Sequence, residues 1–99
     1  MNDFEIKILE SINFSELLEL LNELVSIPSL DGTSEEAAVQ KLVSSKLSEI
    51  GFDVDEWLVD FEELKQHPKY SAEVERPEAI GVVGSWGNDA GPSLLFNGH

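Results

Sequence analysis

The sequence predicts a layered α/β fold, and three observations predict it. Residues 13–28 and 33–51 carry apolar side chains at helical period between capping signals. Residues 52–59 and 79–86 are rich in β-branched and aromatic types, as strands are. The run Ser93–Asn97, "SLLFN", is apolar without alternation, the pattern of a central strand covered on both faces. The expected order is therefore α, α, β, short α, β, β, with no internal repeat.

Residues 1–12 read as an N-terminal extension, in which Phe4, Ile8 and Ile12 allow a short helix without strong caps. Residues 13–99 read as one domain or part of one, a chain of this size burying roughly 60–70% of its unfolded surface on folding. In the first long helix Phe14, Leu17, Leu18, Leu21, Leu24 and Val25 share one face. Asn13 with Glu16 has capping-box spacing, and Pro28 ends the run. In the second, Thr33 with Glu36 repeats that spacing, and Val39, Leu42, Val43, Leu47 and Ile50 form the stripe. Gly51 suits a left-handed cap from which Phe52 packs back on Leu47.

A strand through about Val59 follows. Asp60 and Glu63 then cap a short helix, "FEELKQ", stopped at His67-Pro68 because the residue before proline avoids helical backbone angles. Residues 67–78 read as loop. Ala79–Trp86 reads as a strand with Ile80, Val82 and Trp86 on one side, "GNDAGP" as a turn, and Ser93–Asn97 as the partner strand.

The net charge of −14, from 20 acidic and 6 basic residues, argues against nucleic acid and anionic membrane surfaces as partners. The acids are dispersed over helical faces, which fits a solvated surface. Without cysteine there is neither a disulfide framework nor a thiolate metal site. The N-terminus lacks a signal peptide's basic start and apolar core, and no stretch approaches the ~20 apolar residues of a membrane span. A cytoplasmic protein is the expectation.

"GVVGSWG" has the wrong glycine spacing for a dinucleotide fingerprint, and a turn and strand follow it where a phosphate-holding helix should begin. "NFS" at Asn13–Ser15 matches a glycosylation acceptor, but helix capping explains the same residues. His67 sits near Lys65, Lys69 and Arg76, the only local cluster of positive charge; an exposed polar loop accounts for them, with a site for a substrate anion as the functional alternative. His99 is the candidate metal ligand. One histidine with no second ligand nearby carries little by composition, yet it stands at the end of an apolar strand, where open α/β sheets place their sites. Gly98 before it leaves room for close approach of a backbone or an ion.

Three segments in order carry a family likeness: Val25-Ser26-Ile27-Pro28-Ser29 closing the first long helix, Ile50-Gly51-Phe52-Asp53-Val54 closing the second, and Leu94-Leu95-Phe96-Asn97-Gly98-His99. Over residues 14–99 the chain resembles the N-terminal part of the acetylornithine deacetylase, succinyl-diaminopimelate desuccinylase, aminoacylase and carboxypeptidase G family of zinc metallopeptidases. The interval with "DFEELKQHPKY" and "AIGVVGSWG" is most similar to the acetylornithine deacetylase-like branch. The resemblance implies the first portion of a three-layer α/β/α catalytic domain, its sheet incomplete here. It also implies hydrolysis of an amide bond in a small N-acyl amino acid or peptide at a site with two zinc ions.

In the family a His-x-Asp motif ends a central strand, its histidine a zinc ligand, and alternation puts residues i and i+2 on one side. Only His99 matches a functional position; no catalytic residue of the family matches this chain. The aspartate of His-x-Asp, the other ligands, the glutamate that serves as base and a smaller domain, through which such enzymes often dimerise, would lie downstream. The chain then reads as the opening part of a longer enzyme, inactive alone. Two rival expectations remain: a self-contained acidic α/β module that binds a partner through its amphipathic helices, with no use for His99, and a site completed in trans by a partner chain.

Overall fold

Asn2 opens the first helix with a reciprocal cap that the sequence reading undervalued. Its side-chain oxygen accepts the Glu5 N–H at 2.8 Å, while the Glu5 carboxylate accepts the Asn2 N–H at 2.8 Å. The helix, α1 (Asp3–Glu10), fills the expected extension. A computed structural model describes residues 1–98, and His99 lies outside the described residues. Among them the chain forms four helices and one two-stranded antiparallel sheet, a small mixed α/β arrangement.

In α2 (Phe14–Ser26) Asn13 accepts the backbone N–H groups of Ser15 and Glu16 at 3.1 and 3.2 Å, the forward half of the expected capping box. Ile27 turns extended ahead of Pro28 and ends the helix. In α3 (Ser34–Glu49) the expected Thr33–Glu36 box is absent. The Thr33 hydroxyl instead donates to the Leu30 carbonyl at 2.6 Å, and Glu36 is drawn to the Gly32 N–H and to Arg76. The far end follows the sequence reading. Gly51 takes φ +98° and donates to the Ser48 carbonyl, and Phe52 donates to the Leu47 carbonyl, the two bonds of a Schellman ending. Ile50, expected in the apolar stripe, is exposed.

β1 (Asp53–Leu58) pairs with β2 (Ile80–Ser85), Trp57 opposite Gly81 and Val54 opposite Gly84. The Val59 N–H to the Ala79 carbonyl continues the ladder by one bond. Between them Asp60 accepts the Glu62 and Glu63 N–H groups at 3.0 and 3.1 Å to cap the short α4 (Phe61–Leu64).

α3 covers one face of this hairpin. A Cβ placed on Gly84 would lie 3.1 Å from Leu47 and 3.2 Å from Phe52, so glycine lets the helix end and the chain after it settle against the strand. On the opposite face the Trp57 indole occupies the space that a side chain at Gly81 would need. The core is the seam between α3 and the hairpin, where Ala37 is buried and Val39, Leu42, Val54, Ile80 and Val82 are half-buried.

The partner expected for β2 is corrected. β2 pairs with β1, and residues 93–98 join no ladder: Leu94, Leu95 and Phe96 are 79%, 82% and 85% exposed. The physical reason lies in "GNDAGP". Gly87 and Gly91 adopt φ of +103° and +108°, and the Asn88 side chain accepts the Ala90 N–H at 3.0 Å, so the segment closes a local turn of its own. The apolar pattern was that of a covered strand, but a strand needs a neighbour whose edge is free and aligned.

Candidate functional site

The site expected from sequence is the end of the Ser93–His99 run. His99 lies outside the described residues, so its environment forms no part of the description. The residues leading to it are exposed, and a Cβ added at Gly98 would meet no atom within 4 Å; no described residue makes the close approach expected there. Among the described residues no three His, Asp or Glu side chains gather as a metal site.

His67 is placed by its own turn. Its backbone N–H donates to the Leu64 carbonyl at 3.0 Å, its carbonyl accepts the Tyr70 N–H at 2.9 Å, and its Nδ1 accepts the Lys69 N–H at 3.1 Å. The imidazole thus closes the Pro68 turn, as an exposed polar loop requires.

The cationic cluster is real in space. Lys65, Lys69 and Arg76 line one open cavity of about 900 Å³, walled by apolar and aromatic groups including Phe61, Tyr70 and Val74. Asp60, Glu62 and Glu75 line it too, three acids against three bases, so the cavity holds no surplus of positive charge for an anion. Asp60 is committed to capping α4, and Lys65 lies 3.6 Å from Glu62 at the surface.

Arg76 leaves this cluster for a partner that sequence reasoning did not find. Its Nε donates to both carboxylate oxygens of Glu36, at 3.1 and 2.9 Å, and its Nη2 lies 4.0 Å from Asp31. The same carboxylate accepts the Gly32 N–H at 3.1 Å. The Arg76 hydrogen bonds hold the Glu36 carboxyl below its ordinary range, with burial opposing and the Gly32 N–H reinforcing them. Gly32, at φ +80°, also lies against the 71–79 loop: an added Cβ would sit 2.7 Å from the Glu75 carbonyl oxygen. These groups form a joint that ties the loop to the start of α3. Forty residues separate Glu36 from Arg76, and no local spacing could have paired them.

A second concavity runs between α2 and α3, with a volume of about 490 Å³. Leu20 and Leu24 from α2, Val43 and Leu47 from α3 and Ile50 at the α3 C-cap supply its apolar lining. Glu16, Glu19, Glu23 and Glu49 stand around it, and Lys46 is the only basic residue that lines it. Lys46 lies 3.6 Å from Glu23 and 3.7 Å from Glu49, one cation shared between two acids.

Compared with known proteins, the chain matches no family model, no curated protein and no solved structure.

Proposed function

We propose that the chain carries the first metal-ligating histidine, His99, of a zinc-dependent hydrolase of amide bonds, acting on small N-acyl amino acids or peptides. The observation that carries this reading is the order of three motifs along the chain. Ser26-Ile27-Pro28 closes α2, Ile50-Gly51-Phe52 forms the Schellman joint from α3 into β1, and Asn97-Gly98-His99 follows an apolar run. In this reading further strands and helices cover the open faces and complete three layers.

Two zinc ions, when bound, would polarise the scissile carbonyl and make a bound water acidic. This chain's share is one imidazole nitrogen of His99, and the remaining ligands and the glutamate base come from polypeptide it does not contain. The coding sequence beyond the His99 codon tests the reading. An aspartate two residues on, with chelator-sensitive amide hydrolysis by the extended chain, is the expected result; any other residue there overturns it.

A second reading, an acidic module that binds a partner protein, is favoured by the groove between α2 and α3, which is apolar inside and acidic around its rim.

A further inference from the structure

The described residues leave more surface open than a compact molecule does. The accessible area is 8733 Å² for an 11.0 kDa chain, against about 5,600 Å² from the size scaling of folded monomers. A standard protein interface takes about 800 Å² from each partner. The chain therefore has area to spare for one, and the groove between α2 and α3 is an open region lined by apolar side chains from both sides.

Leu20 and Leu24 stand four residues apart on α2, and Val43 and Leu47 on α3 with Ile50 at its C-cap stand at i, i+4 and i+7. Two such rows form a trough between ridges, the shape that accepts the i, i+3, i+4, i+7 anchors of a third helix. No strand residue lines the groove, so an occupant would not compete with strands added to the sheet.

Charge chooses the occupant. Among the described residues Glu16 and Glu19 have no ion-pair partner, and Lys46 is already shared between Glu23 and Glu49. α2 contains three glutamates and no basic residue, so a second copy docking by the same helix would set acid against acid. We propose that the groove between α2 and α3 is a docking site for a basic amphipathic helix of a partner protein. Its leucine-like face fills the trough, and its lysines or arginines meet Glu16 and Glu19. The inference rests on the second reading above, and its failure leaves the hydrolase reading untouched.

The test uses the full 99-residue chain and a fluorescein-labelled helical peptide with leucines at i, i+3, i+4 and i+7 flanked by lysines. A second peptide carries glutamate in place of lysine. Fluorescence anisotropy is expected to show saturable one-to-one binding of the lysine peptide, at least about tenfold tighter than the glutamate peptide, since each tenfold is 1.4 kcal/mol. Glu19→Lys should weaken it severalfold, and so should Ile50→Gln, which removes an exposed apolar wall. The pair Glu62→Lys and Glu63→Lys on α4, outside the groove, should leave binding unchanged. Circular dichroism confirms that each variant keeps its helices. Three results overturn the proposal: equal binding of both peptides, equal weakening by the α4 changes, or a dimer of this chain that the peptide cannot displace.

Discussion

Gly81 and Gly84 decide how closely the neighbours of β2 approach it. Gly81→Ala must displace the Trp57 indole, a crowding that costs about 1–3 kcal/mol. The urea midpoint followed by tryptophan fluorescence should fall, with a red shift as Trp57 enters water. Glu36 gives a pH prediction. Its carboxyl is held below the ordinary 4.5 in the folded chain, so the joint's contribution to stability is present above that value and is lost as pH falls through the lowered one. Carbon-detected NMR titration of Glu36 should give a midpoint below 4.5 that returns toward it in Arg76→Ala. Neither role was legible in the sequence. Glu36 read as a cap because local spacing permits one, whereas the contact that wins lies far along the chain and is stronger for joining two charges.

At the scale of elements, what lies within a few residues was legible and what depends on a distant partner was not. Asn13, Pro28, Gly51 and Asp60 mark the ends of α2, α3 and α4 because caps and stops are local chemistry. The strands β1 and β2 were legible by composition, but their pairing with each other was not, since hydrophobic pattern says which face is buried and not which strand lies alongside. The Leu94–Phe96 run shows the same limit, an apolar strand pattern that joins neither free edge of the two-stranded sheet. Leu95→Lys should therefore leave stability within about 0.5 kcal/mol. It should also lower concentration-dependent association in light scattering, because an exposed apolar run is what lets unpaired segments pair between chains. Unchanged association would show that other surfaces drive it. For the candidate metal site the sequence offers His99 by its place after an apolar run and by a family likeness, and His99 lies outside the described residues.

Across the whole molecule, burial is concentrated in one seam. The radius of gyration is 17.2 Å, against about 13 Å for a compact domain of 100 residues. α1 and α2 leave most of their apolar side chains exposed, Phe14 at 67% and Val25 at 74% among them, while α3 and the hairpin hold the core. Unfolding should therefore occur in parts, with helical signal from α1 and α2 fading first and the α3–hairpin seam persisting. Amide exchange resolved by residue checks this; equal protection across α2 and α3 would contradict it. A bound basic helix, by covering α2, should bring its protection up toward that of α3.

The excursion between β1 and β2 is closed at its base by the Val59–Ala79 bond and tied on its returning limb, three residues before Ala79, by Arg76 to Glu36. Covalent continuity through Ser71–Glu73 is then not what keeps the segments on either side of it together. A protease cut in that exposed stretch should give two bands on a denaturing gel and a single native mass, because the ladder, the helix seam and the arginine all cross the break.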